Sequence, residues 1–169
     1  DLSSVKHNGP KSYKVETQQD ISRVLSRTIE DNEIKFWLER EGPQAIMVRE
    51  FLNLDYSFTA FDGLPVAREW RIFSDGKKVL CFHPYWPEET IKFYGKEPKG
   101  WKTALKDHHK KPFNLGEIQQ MALQATASCG GKWSVDFAMD KFCKWWLIDM
   151  ATMNDSWHWP GCKNGKRGK

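Results

Sequence analysis

Apolar positions change their spacing several times along this chain, and each change predicts an element. Ile21, Val24, Leu25 and Ile29 recur at helical intervals behind Thr17-Gln-Gln-Asp20, where Thr17 fits an N-cap and the acid falls in the first turn. A second helical piece is predicted from about Asn32 to Glu41, carrying Ile34, Phe36, Trp37 and Leu38 and stopping at Gly42-Pro43. Strands are then predicted over Ala45 to Leu54, Val66 to Phe73 and Lys78 to His83, with Asp75-Gly76 turning between the last two. Residues 86–113 mix prolines, glycines and lysines and read as a loop or lid with a short helix. Asn114-Leu-Gly-Glu117 has a capping-box pattern and opens a helix with Ile118, Met121, Ala122 and Ala125, to about Ser128. Gly130-Gly131 breaks the chain before two apolar runs, Val135–Ala138 and Trp146–Met150, which read as a hairpin about Met139–Cys143. No internal repeat is visible. The order helix, strands, helix, hairpin predicts an α+β fold with a mainly antiparallel sheet.

The hairpin carries the most telling chemistry. Symmetric pairing about its turn sets Asp136 opposite Asp149, with Cβ atoms about 4.5–5.5 Å apart. Two ionised carboxylates at that distance repel, so they require a shared proton or a cation. Oxygen-only ligands favour Mg²⁺ or Mn²⁺ over zinc. The plainer alternative leaves both acids in water on an exposed face. In Ala67–Phe73, alternation puts Glu69 and Arg71 on one face and Arg68 and Trp70 on the other. On an open surface an ion pair there is worth little; lining a cleft, Arg71 could grip a phosphate bidentately. Arg49-Glu50-Phe51 repeats the combination: Glu50 could receive a ribose hydroxyl or an adenine amino group, and the backbone of Phe51 and Leu52 could read a base edge.

Composition narrows the field. The 169 residues make one domain or two small lobes, and 40% hydrophobic content with nine Trp and ten Phe can fill a core. No apolar run approaches the roughly 20 residues that span a bilayer, so no membrane partner is expected. The start is polar and lacks both a signal-peptide pattern and a Met, which reads as a chain cut or processed from a longer one. Cys81, Cys129, Cys143 and Cys162 are scattered without C-x-x-C spacing, which fits a reduced, cytoplasmic protein. The first three sit among apolar residues and are expected in packing roles. Much of the +4 charge falls in Lys163, Lys166, Arg167 and Lys169, so residues 161–169 are expected to form a basic flexible tail. Lys96 to Lys111 is a second basic stretch holding His108-His109, expected in solvent, and neither run makes nucleic acid the favoured partner. His158 with Cys162 is a thin hint of zinc, lacking a C-x-x-C or H-x₃-H companion. Of Trp145 and Trp146, on alternate sides of a strand, at least one belongs in the core; a nucleic-acid stacking platform is the weaker use.

The succession Glu50-Phe-Leu, Glu69-Trp-Arg-Ile-Phe, Val135-Asp-Phe-Ala and Ile148-Asp-Met-Ala-Thr-Met-Asn154-Asp-Ser-Trp-His resembles the ATP-grasp superfamily. The likeness covers roughly residues 44–160 and points to its carboxylate–amine ligases, most nearly to uncharacterised members from bacteria and phages. It implies ATP-grasp-like antiparallel sheets with packed helices, without the N-terminal substrate lobe: a domain over 1–160, with a partial small lobe at 1–43 and a nucleotide and metal lobe at 44–160. By the same resemblance Glu50, Phe51 and Leu52 are the adenine hinge and Glu69 the ribose acid. Asp136, Asp149 and Asn154 hold Mg²⁺ or Mn²⁺, with Asn154 or Asp155 standing in because Ala151 occupies the family's ligating Asn position. Arg71 faces the transferred group, and Lys6, Lys11 and Lys14 of the donor-rich 1–15 loop cover the phosphates of ATP. The implied reaction is an ATP-dependent ligation in which a small-molecule or peptide carboxylate becomes an acyl phosphate and is attacked by an amine. The alternative is a degenerate member of the fold, acting as a nucleic-acid-binding or scaffold protein.

Overall fold

The structure is a computed structural model that describes residues 14–39, 48–61, 63–160 and 162, with backbone alone over 31–39. Lys6, Lys11, most of the 1–15 loop and the charged residues after Cys162 lie outside the described residues. One helix, α1 (Gln18–Glu39), runs through both helical pieces that the sequence divides. Its start follows the capping logic. Asp20 accepts the Thr17 amide at 3.0 Å and the Thr17 hydroxyl at 3.0 Å, and it is also bonded to Arg23 at 2.8 Å. The Arg23 guanidinium first, then the Thr17 and Glu16 amides, hold the Asp20 carboxyl well below the usual range.

Beyond α1 the chain builds two layers of antiparallel strand and helix. The smaller pairs β1 (Tyr56–Ala60) with β2 (Leu64–Ala67) and packs them on α2 (Trp101–Lys110). Its core is Phe58, Phe61, Val66, Trp86, Trp101 and Leu105. The larger is a four-stranded sheet in the order β4-β3-β5-β6: β3 Glu69–Ser74, β4 Val79–Pro84, β5 Trp133–Met139 and β6 Trp145–Thr152. One face of this sheet, with Ile72, Val135 and Phe137 fully buried, packs on Ile118 and Ala122 of α3 (Leu115–Thr126). Asn114 occupies the N-cap of α3 as the sequence predicts, without a side-chain capping bond.

Several differences from the sequence reading have plain causes. Of the expected Ala45–Leu54 strand, residues 45–47 lie outside the described residues and 48–53 are not a strand. Val48 is 85% exposed, Phe51 is 55% exposed, and among the described residues the segment joins the sheet region by single bonds such as Lys141 amide to Asn53 carbonyl. The Val66–Phe73 run is broken at Arg68, where the backbone changes partners. The Arg68 amide bonds the Asp55 carbonyl at 2.9 Å, while its own carbonyl accepts from Met139 at 3.0 Å. The Arg68 side chain is buried between the layers, donating to the carbonyls of Lys111 and Pro112 and lying 4.9 Å from the Phe113 ring. Strand β1 escaped notice because its five residues, Tyr-Ser-Phe-Thr-Ala, offer only two buried positions. The stretch read as a loop or lid holds the ten-residue α2, whose His108 is buried rather than in solvent. Cys129 and Cys143 are exposed, not packing residues. Trp145 is buried, as one of the tryptophan pair had to be.

The Asp75-Gly76 turn joins β3 to β4 as predicted, and here glycine is required. Gly76 has φ of 80°, and a Cβ would lie 2.8 Å from the Thr126 carbonyl oxygen at the end of α3. Gly100 has φ of 75° but open space where its Cβ would go. Gly100→Ala should therefore cost only the backbone term of about 1–2 kcal/mol, while Gly76→Ala should cost clearly more. Urea denaturation of the two variants checks this, and equal losses would contradict the close approach.

Candidate functional site

Strand β6 carries an extra residue, and that residue creates the site. From Met139↔Trp145 through Phe137↔Leu147 the pairs follow the turn, so the next pair would be Asp136 with Ile148. The register shifts there, and Asp136 faces Asp149 instead. A bulge of this kind leaves one residue unpaired and re-aims the side chains beyond it. The carbonyl of Ile148 accepts the Arg49 guanidinium at 2.7 Å. The turn itself is fixed by Asp140, which accepts the Phe142 amide at 2.8 Å, the Lys144 amide at 2.9 Å and the Trp146 indole at 2.7 Å. The indole bond foremost holds the Asp140 carboxyl below its ordinary range.

Two further pairings extend the row: Arg71 faces Asp136 across β3–β5 and His83 across β3–β4. Residues in direct register point to the same face. His83, Arg71, Asp136 and Asp149 thus form one line across four strands, on the face away from α3. Arg71 grips Asp136 with both arms, Nε to Oδ1 at 2.7 Å and Nη2 to Oδ2 at 2.8 Å. Asp136 is 2% exposed. The guanidinium also lies 4.7 Å from the Tyr85 ring centroid. Burial opposes the charge on Arg71, but the hydrogen bond and charge of Asp136, aided by Tyr85 and Asp149, more than offset it and raise its pKa. Asp149 is half-buried, and its Oδ1 accepts the Met150 amide at 3.0 Å.

His83 closes the row. Burial chiefly, and the Arg71 charge, push its imidazole down to about 4, so it is neutral near pH 7. Nδ1 lies 2.9 Å from the Pro84 carbonyl, which makes Nδ1 the protonated nitrogen. Nε2 then carries a lone pair, buried and without a hydrogen-bond partner among the described residues. The segment after β6 crosses this face. The Trp157 carbonyl accepts Arg71 Nη1 at 3.3 Å, and the His158 ring stacks on Phe73 at 3.8 Å.

The other expected site residues fall into three places. Glu69 shares the face of Arg71, as alternation predicts, and is buried. Glu50 is exposed, Phe51 is exposed and Leu52 is half-buried on the irregular 48–53 segment, so no strand ends at the expected hinge. Lys14 ion-pairs with Glu16 and stands 4.5 Å from the Phe51 ring, which brings two of the predicted nucleotide contacts together. Asn154 lies exposed on the short 3₁₀ turn Met153–Asp155 that follows β6. Sequence reading missed His83 and Trp157, because nothing local marks a residue that joins a site through strand register. A separate cleft of about 350 Å³ between β1 and α2, lined by Asp55, Ser57, Asp107 and Lys111 among others, includes none of the row.

Removing one partner of a buried ion pair strands the other, at a cost of about 3–5 kcal/mol. Arg71→Met should therefore destabilise strongly, Asp149→Asn little, and Arg71→Met with Asp136→Leu should regain much of the loss. Chemical denaturation measures all three, and a mild Arg71→Met would contradict the pairing. No family model matches this chain, and no curated protein or solved structure matches it.

Proposed function

We propose that this chain binds ATP with a divalent cation and works as an ATP-grasp-type ligase, joining a small-molecule or peptide carboxylate to an amine through an acyl phosphate. The single observation that carries the reading is the row of Arg71, Asp136 and Asp149 on a sheet face free of the α3 core. A guanidinium followed along the row by two carboxylates suits a ligand that brings both phosphate and metal. The donor set fits Mg²⁺ or Mn²⁺, being hard oxygen from Asp136 and Asp149, with Asn154 just beyond the end of β6. Each carboxylate oxygen has more than one lone pair, so Asp136 can serve Arg71 and a cation together. Bound there, the ion would neutralise charge on the β- and γ-phosphates.

The chain's own groups then have defined tasks. Arg71 exchanges one arm from Asp136 to a phosphoryl oxygen and stabilises charge where it develops. Tyr85 keeps the guanidinium plane in place, and the Trp157 segment limits water over the row. Glu69, with Glu50, Phe51 and Leu52, takes the nucleoside, and Lys14 beside Phe51 approaches the phosphates.

Two observations favour a second reading, in which the fold is kept and turnover lost in favour of nucleic-acid binding or scaffolding. Arg71 occupies both oxygens of Asp136, and Ala151 stands opposite Ser134 where the resemblance calls for an amide ligand.

Thermal unfolding separates the two. Saturating ATP with Mg²⁺ should raise the midpoint by several degrees, ATP with EDTA should not, and Asp149→Asn should lose the response while keeping its own midpoint. Stabilisation by an oligonucleotide alone, falling steeply with salt, would support the second reading. A midpoint that ATP and Mg²⁺ leave unmoved would refute the first.

A further inference from the structure

The segment that follows β6 returns His158 and Cys162 to Cys81 on β4. One ligand atom from each lies within 4.8 Å of the other two. Cys81 Sγ and His158 Nδ1 are 3.7 Å apart. Around a tetrahedral zinc, bond lengths of about 2.3 Å to sulfur and 2.0–2.1 Å to nitrogen place S and N about 3.6 Å apart and two sulfurs about 3.8 Å apart. The observed edge already has that length, and the remaining edges, within 4.8 Å, need to close by no more than about 1.2 Å. All three residues are half-buried, which shields a site while leaving it reachable.

We propose that Cys81, His158 and Cys162 bind a thiophilic divalent cation, Zn²⁺ above all, as a clasp that fastens the 157–162 segment to edge strand β4. Two thiolates and an imidazole are soft and borderline ligands, the opposite of the oxygen row one register step away, so the two centres select different ions. The row beside Cys81 is Phe73, Ser134 and Ala151, which supplies no competing acid. Phe73 serves as the floor: the His158 ring stacks on it at 3.8 Å and 15°, which pre-sets the imidazole beside Cys81. Three protein ligands leave a fourth position for water or another ligand. Binding requires both thiols to release their protons, and the ordering it brings falls on the same segment whose Trp157 carbonyl holds Arg71. The clasp stands independently of the nucleotide reading, since it shares no ligand with the row.

The test uses the full chain, purified under reducing conditions without chelator and titrated with Co²⁺. One equivalent should produce the near-ultraviolet thiolate-to-cobalt band and the visible bands of a tetrahedral site, and Zn²⁺ should bleach both. Cys162→Ser and His158→Asn should each weaken uptake by more than about tenfold, since even the groups that merely support a metal ligand matter at that level. Cys129→Ser, exposed and outside the cluster, should leave the titration unchanged. A folded, reduced wild-type chain that shows no thiolate–cobalt band overturns the proposal. So does a band that survives in both Cys162→Ser and His158→Asn. If the Cys81–His158 approach is a plain S–H···N hydrogen bond, or if the thiols serve only to form a Cys81–Cys162 disulfide, the reduced chain takes up no cobalt.

Discussion

The bidentate bond between Arg71 and Asp136 joins the two central strands of the larger sheet from the side away from α3. A pair so buried is not needed for stability, because well-packed apolar residues of similar volume do as well or better. Its cost is desolvation, and its benefit is a guanidinium fixed across the β3–β5 seam from Asp136, with Asp149 next in the row. The other members of the row are arranged around this bond. His83 is placed by register with Arg71, Asp149 by register with Asp136, and the Trp157 carbonyl by the free Nη1.

The sheet thus has two unlike faces made by one alternation. Ile72, Val135 and Phe137 point to α3 and are fully buried; their neighbours Arg71, Asp136 and Ser134 point the other way. Without the bulge in β6, Ile148 would stand opposite Asp136, and the second acid would be lost from the row. The bulge is therefore the smallest change of backbone that sets two acids face to face while leaving the apolar face intact.

How much of this the sequence disclosed depends on distance along the chain. The α+β order, the Asp75-Gly76 turn, the helix at Asn114 and the hairpin were all visible, because each rests on residues within a few positions of one another. The opposition of Asp136 and Asp149 was reached by assuming symmetric pairing, whereas it arises from an extra residue that no local signal marks. Glu69 and Arg71 were rightly assigned one face by alternation, but the partner of Arg71 is Asp136, 65 residues away. The 48–53 stretch reads as a strand because Val48, Phe51 and Leu52 are apolar; with no neighbouring strand among the described residues to complete its hydrogen bonds, it stays irregular. His158 and Cys162 were visible as a pair, and Cys81, 77 residues before His158, could be found only in three dimensions.

The account stands on the claim that the acids of the row, with Arg71, receive a metal-bound nucleotide. A crystal grown with Mn²⁺ and a non-hydrolysable ATP analogue tests it directly through the anomalous signal of the metal. The account requires a manganese peak shared by Asp136 and Asp149, with one arm of Arg71 moved from Asp136 to a phosphate. Manganese and nucleotide bound elsewhere, with the Arg71–Asp136 bond untouched and no metal at Asp149, would contradict it.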